Sequence, residues 1–327
     1  MVLRFSTALC GLILFSCKIS AQLKWQNFDS LYQPLPSSFH VYFTDQPVDS
    51  TPFRAYYLIA DLKDKKLDFT ADTARDRRLT PSKFYEKNDK ALLVVNCTFF
   101  SFQTNRSLNV VIKDGKLLAY NQHSIPGRGK DSLTYRHTLG SAIGISKKRE
   151  AGVAWILTYP NKKKVFASSW PVLWKDSLEK LSKDSIEYYT SYILGHVGQE
   201  SSLSKWEMQT AVGGGPVLLQ NGEIKITNNE ELKFAGKAIN DKHPRTAMGY
   251  TRDGKLIILV IEGRNKQASG ATLTQEAQIF KDLGCWEALN LDGGGSSCML
   301  VNGKETIKVS DAAGQRPVPA VFIIRKK

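Results

Sequence analysis

The residues with chemical potential gather in the last third of the chain. The stretch ALNLDGGGSSCMLVNG (288–303) sets Asp292 and three glycines between two apolar runs. Glycines let a backbone approach a ligand closely and aim consecutive N–H groups at an anion, which suits a phosphate or sugar oxygen. Asp292 would border that ligand. A second triplet, Gly213-Gly214-Gly215 before Pro216, suggests a second backbone wall around the same ligand. Between them lies KHPRTAMGYTRDGKLIILVIEGR (242–264), with Arg245 at the entry of one strand and Glu262-Gly263-Arg264 at the exit of the next. A hairpin of this length brings Arg245 and Arg264 to one sheet end, and guanidinium forks match phosphate oxygens. His243, held extended by Pro244, is a proton donor near neutral pH or simply a solvated loop side chain. Plainer readings stand beside each: Asp292 caps its own turn, the glycines mark bulges or corners, and the arginines are surface ion-pair partners.

Several nucleotide and nucleophile motifs are excluded by context. A dinucleotide loop needs a helix after its glycines, whereas SSCMLVNGKETIKV reads as strand, turn and strand. No Gly-Lys-Ser/Thr follows, as a phosphate-binding P-loop requires, and Ser296 and Ser297 are not framed as a nucleophile elbow. Asn96, at the end of the apolar run ALLVVNCTFF (91–100), offers an amide that could hold a ligand or satisfy a buried turn.

The elements that must position these groups are mostly strands. Apolar runs at 55–62, 66–72, 91–100, 108–120, 211–226 and 247–263 carry the strand pattern. The dipeptides Asp114-Gly115, Asn221-Gly222, Asp253-Gly254 and Asn302-Gly303 interrupt apolar runs as hairpin turns do. Helices are fewer: PSKFYEKND behind Thr80, a stretch within 173–193, and 272–284. The last has Leu273, Ala277, Phe280 and Leu283 on one face, Thr272 with Gln275 as a capping box, and Gly284 as its stop. The expected fold class is α+β, a mixed and mostly antiparallel sheet core with a few packed helices in a single catalytic-type domain at 54–327. Residues 22–53 read as an extended lead-in with four prolines, and 146–205 as an insertion with weak periodicity.

Composition bounds the rest. At 327 residues and 42% hydrophobic content the chain can bury a sizeable core, and its net charge of +14 suits a partner that is anionic. The blocks Lys162-Lys163-Lys164 and Lys147-Lys148-Arg149 are short and lack interleaved aromatics, so nucleic acid is not the expected partner. Residues 1–21 have the pattern of a signal peptide cut after Ala21, which implies export and no integral membrane span once it is removed. A second reading makes Leu14-Phe15-Ser16-Cys17 a lipoprotein box with Cys17 lipidated. Cys97, Cys285 and Cys298 then allow one disulfide at most. No cofactor is implied, and the acidic residues are too dispersed to spell a divalent-metal site.

The segments NCTFF, VGGGPVLLQNG, HPRTAMGYT, IEGR, SGATLTQEA and ALNLDGGGSSCMLVNG, with the tail GQRPVPAVFII, together resemble the phosphodiester glycosidase family over roughly 54–325. The chain departs from the family pattern at Cys97 and Thr98, where glycines are common, and at Glu262, where aspartate is usual. The resemblance implies a mixed α/β fold and hydrolysis of a sugar-1-phosphodiester to free sugar and phosphomonoester. It marks Asn96, Gly214, Arg245, Thr246, Glu262, Arg264, Asp292, Gly294 and Ser296 as pocket residues. On that basis Asp292 and Glu262 are expected to divide the acid, base or nucleophile roles, since anomeric cleavage uses two flanking carboxyl groups. Arg245 and Arg264 would hold the phosphate. The alternatives are a non-catalytic surface protein binding anionic glycan or cell-wall polymer, and a general phosphodiesterase cleaving P–O.

Overall fold

The structure is a computed structural model that describes residues 22–126, 134–159, 162–177 and 203–327. The expected signal peptide and most of the helix sought within 173–193 lie outside the described residues, and Leu173–Ser177 is a strand. The body is predominantly β, with few helices, which agrees roughly with the α+β class expected from sequence and leans further toward sheet. Among the described residues no helix is long and apolar enough to cross a membrane.

An eight-stranded sheet forms the centre, and its middle strands are Ala55–Asp61, Lys255–Ile261, Arg245–Thr251 and Cys285–Asn290 in that spatial order, all antiparallel. The run Leu256-Ile257-Ile258-Leu259-Val260-Ile261 is apolar without alternation because both faces of this sheet are covered. Leu256, Ile258 and Val260 pack into the larger core on one side, while Ile257, Leu259 and Ile261 meet Leu273, Ala277 and Phe280 on the other. Those three belong to the helix Leu273–Asp282, whose Thr272 side chain accepts from Gln275 N–H while Gln275 answers to the Thr272 N–H.

Two further sheets close the large core. One runs Met299–Val301, Leu93–Asn96, Ala320–Lys326 and Leu67–Thr73 in space, so the final strand fills the gap between two strands laid down early in the chain. The other places Lys162–Ser168, Ala151–Tyr159, Gly140–Ile145, Thr210–Gly213 and Val111–Lys113 side by side. The presumed insertion is therefore part of the fold: Ala151–Tyr159 sits inside this sheet with Trp155 1% exposed.

The lead-in is also packed rather than extended and free. Phe39–Thr44 pairs along Ala55–Asp61, burying Phe39, Val41 and Phe43 in the core. The flanking prolines obscured an ordinary alternating strand. Three of the four expected turns have both residues at positive φ: Asp114-Gly115, Asn221-Gly222 and Asn302-Gly303. At Asp253-Gly254 only the glycine does. Cys97, Cys285 and Cys298 are buried free thiols.

The antiparallel register decides where the site falls. Arg245 pairs with Ile261 and Ala247 with Asn290, so one strand begins where its two neighbours end. The segments His243–Arg245, Glu262–Arg264 and Leu291–Ser297 consequently emerge at the same end of the central sheet.

Candidate active site

The aspartate loop is fastened from both sides before any ligand arrives. Asp292 N–H donates to the Cys97 carbonyl at 2.8 Å, and Leu291 N–H to the Thr246 carbonyl at 2.8 Å. Gly294 N–H donates to the Pro244 carbonyl at 2.8 Å. Asn96 completes the fastening: its amide donates to the Asp292 carbonyl at 2.5 Å and accepts from Thr246 Oγ1 at 2.9 Å and Cys298 N–H at 3.1 Å. Of the two readings of Asn96, the bonds shown are structural, with the side chain fully buried. Thr246 Oγ1 also lies 3.2 Å from Ser297 Oγ.

The second glycine triplet lies against the same strand end. Gly215 N–H donates to the Asn290 carbonyl at 2.7 Å, and Asn290 returns its amide to the Gly215 carbonyl at 2.7 Å. Gly214 sits so close to the Asn290 carbonyl that a Cβ would collide with backbone. The two walls therefore touch through main chain, with the Asn290 side chain tying them together.

Asp292 sits on this loop and is only partly shielded from solvent. Burial pushes its carboxyl up to about 7, opposed by Ser296, by the Arg316 guanidinium and by the Gly293 N–H. Ser296 Oγ is buried and close enough to favour the ionised carboxylate, yet it makes no hydrogen bond of ordinary geometry within the protein. Gly295 is pressed against the Arg316 guanidinium, and a Cβ on Gly294 would stand 3.2 Å from Arg264 Nη2. Two arginines thus bracket the glycines beside the carboxyl. His243 Nδ1 is 3.4 Å from Arg264 Nη2, and burial together with Arg245 and Arg264 lowers its pKa, leaving it neutral at pH 7.

Arg245 and Arg264 do reach the same sheet end, but they face different surroundings. Arg264 is exposed in a left-handed conformation at φ 63°. Arg245 is 2% exposed, donating from Nε to the Ala271 carbonyl at 2.9 Å and from Nη2 to the Asp241 carbonyl at 3.2 Å, with Phe234 stacked 5.6 Å away. Its electrostatic counterpart is Glu276 on the capped helix, a fully buried carboxyl with no hydrogen-bond partner among the described residues. Burial raises Glu276 to about 8, and Arg245 works against that rise.

Glu262 also turns inward. Its Oε1 accepts from Asn265 Nδ2 at 3.0 Å, its Oε2 from Lys308 N–H at 3.1 Å, and Arg54 Nε stands 3.8 Å away. Both oxygens are engaged in tying loops to the sheet, and no hydrogen bond or ion pair joins them to Asp292. Among the described residues no group of three or more His, Cys, Asp or Glu could hold a metal ion.

Arg316 and Lys233 were not singled out from sequence. Arg316 lies 24 positions beyond Asp292 in the tail GQRPVPA, whose only cue was its place in the family pattern. Lys233 sits half-buried over Phe99 at 5.3 Å and against Gly215, its charge disfavoured by burial and supported by Glu231. Glu231 itself accepts from Ser141, Trp155, Val217 and Thr227, so it anchors the floor under the triplet.

A loop of three glycines that sets a partly exposed carboxyl between two guanidiniums suits an anionic ligand, and residues 89–325 match the phosphodiester glycosidase family. The chain belongs to that family, a family of hydrolases. Among curated proteins it is 29% identical over 120 residues to N-acetylglucosamine-1-phosphodiester alpha-N-acetylglucosaminidase of Mus musculus, covering 34% of this chain and 23% of that one. It is 40% identical over 85 residues to the SPbeta prophage-derived uncharacterized protein YomE of Bacillus subtilis (strain 168), covering 26% of this chain and 13% of that one. The chain therefore matches less than a quarter of the length of either relative. The fold is that of the catalytic domain of the zebrafish N-acetylglucosamine-1-phosphodiester alpha-N-acetylglucosaminidase, with TM-score 0.57 at 20% identity over 94% of this chain and 89% of that one. A hypothetical protein from Synechocystis shares it at TM-score 0.58 and 15% identity, over 89% of this chain and 62% of that one.

Proposed function

We propose that the protein is exported and hydrolyses a sugar-1-phosphodiester at the anomeric C–O bond, releasing free sugar and a phosphomonoester. The observation that carries this reading is the Asp292 carboxyl, held near pH 7 beside the glycine loop between Arg264 and Arg316. In this scheme the phosphate lies on the guanidiniums of Arg264 and Arg316 beside the glycine loop. Water adds to the anomeric carbon and gives its proton to ionised Asp292, while the C–O electron pair leaves on the phosphate oxygen. A phosphate leaving group held by two cations needs little protonation, so a single carboxyl suffices and Glu262 serves as a brace. His243, neutral, keeps Arg264 aimed at the loop. Arg245 acts from inside, through the loop backbone that it holds.

The test uses purified protein, an α-linked N-acetylglucosamine-1-phosphodiester and other glycosyl phosphodiesters, in oxygen-18 water. Label is expected in the sugar, and kcat/KM is expected to rise with pH through about 7 as Asp292 ionises. Label in the phosphate would assign P–O cleavage instead. Binding across the panel with no released sugar would leave a glycan-binding protein.

A further inference from the structure

Beside the Asp292 loop the surface continues as a row of arginines around one exposed ring. Phe102 is 62% exposed, the most open of the large apolar side chains among the described residues. Its loop is closed on itself, Ser101 N–H donating to the Arg106 carbonyl at 3.0 Å and Asn105 N–H to the Ser101 carbonyl at 2.9 Å, so the ring is held outward by backbone. Two guanidiniums stand over it, Arg316 at 5.7 Å and Arg78 at 5.1 Å, and Arg78 also covers Phe100 at 5.4 Å. Arg316 is the same side chain that presses on Gly295 and acts on Asp292. The ledge therefore adjoins the Asp292 loop through Arg316.

The segment carrying Arg78 extends the row. Arg75 and Arg77 line a depression of ≈ 670 Å³ together with Lys87, Lys113 and Leu118. The acids nearby are already committed: Asp72 is held by Lys87 at 2.7 Å and Lys113 at 3.3 Å, and Asp76 by Arg106 at 2.7 Å. Arg75 and Arg77 are exposed and have no ion pair or hydrogen bond among the described residues. A substrate with one phosphate would need only the guanidiniums at the glycine loop. Additional free guanidiniums fit further negative charges, and an outward aromatic face fits the apolar face of a sugar ring between them.

We propose that the row Arg316, Phe102, Arg78, Arg77 and Arg75 is an extended subsite for an anionic glycan chain, so that the natural substrate is an oligomer or polymer of phosphodiester-linked sugars. This rests on the hydrolase reading above and names the substrate class for it. The chain lies across Phe102, its terminal phosphodiester reaches the Asp292 loop, and its following phosphates meet Arg78, Arg77 and Arg75.

The experiment compares two substrates on the full chain: a sugar-1-phosphodiester of a small neutral alcohol, and an oligomer of several such units joined through their phosphates. Wild type is expected to favour the oligomer by tenfold or more in kcat/KM at low salt, with the advantage shrinking as salt rises. Arg75→Ala with Arg77→Ala is expected to raise KM for the oligomer severalfold and leave the small substrate unchanged, and Phe102→Ala to raise KM for the oligomer more than for the small substrate. The subsite is refuted if the double variant handles the oligomer as wild type does, or if both variants lose the two substrates equally while their circular dichroism is unaltered. If wild type turns over neither substrate, the hydrolase reading fails instead. Calorimetric binding of the oligomer then decides the subsite alone, by tighter binding to wild type than to the double variant or by equal binding to both. An oligodeoxynucleotide of equal charge that competes as well as the oligomer does would overturn the assignment to glycan.

Discussion

Replacing Asp292 by asparagine should make the protein more stable and inactive at once. An ordinary aspartate ionises near 3.8, and burial carries Asp292 to about 7. Between those values the unfolded chain gives up this proton and the folded chain keeps it, so ionisation favours unfolding. The penalty is absent below 3.8, grows as pH rises from there and is complete above about 7. Taking about 1.36 kcal/mol for each pH unit of difference, the full interval corresponds to ~4 kcal/mol. Asp292 is partly exposed rather than sealed in the core, so solvent screening reduces this to an expected ~2 kcal/mol. Asparagine keeps the shape without the charge. Urea unfolding of both proteins at pH 4 and pH 8 measures the difference. The variant should gain about 2 kcal/mol at pH 8 and within about 0.5 kcal/mol of nothing at pH 4. An equal gain at both pH values, or a loss at pH 8, would refute the reasoning, because the folded carboxyl would then be stabilised as an anion and unsuited to gain a proton near neutrality.

Other outcomes follow from the same geometry. Glu262→Gln should keep kcat within about threefold while costing ~1–2 kcal/mol, since it only weakens acceptors for Asn265 and Lys308; Asp292→Asn should lower kcat at least ~100-fold, and the reverse ranking would move the chemistry to Glu262. Gly270→Ala puts a Cβ into the His243 backbone at φ 96° and should cost more than ~2 kcal/mol along with most activity, measured by thermal melting and turnover. Phe280→Ala should cost about 3–5 kcal/mol in urea without altering KM in the folded fraction. Thr272→Ala removes the helix cap at a cost of ~1 kcal/mol, and no change in the unfolding midpoint would show the cap to be idle.

Much of the scaffold was legible because local rules wrote it. The capping box at Thr272, the turn glycines and the strand runs each obey a short-range constraint of sterics or hydrogen bonding. The meeting of Arg245 and Arg264 at one sheet end was legible too, since an antiparallel hairpin fixes which termini coincide. Directions were not. Glu262 and Asp292 are both acids at strand ends, but only the register and the loops beyond them send one toward Lys308 and leave the other partly exposed. Arg316 and Phe102 reach the site from opposite parts of the chain, and no spacing announces a contact across two hundred residues. The strand Phe39–Thr44 was hidden by its prolines, although its apolar alternation was present.

Asn96 has a consequence in time. One amide joins the chain at 96, 246, 292 and 298, and the strand beside it, Ala320–Lys326, occupies the slot between Leu67–Thr73 and Leu93–Asn96. Sheet closure beside the carboxyl therefore waits for residues 320–326, at large sequence separation and correspondingly slow pace. Every strand of the central sheet precedes that segment in the chain, so the central sheet can pair before the loop that holds Asp292 is fastened.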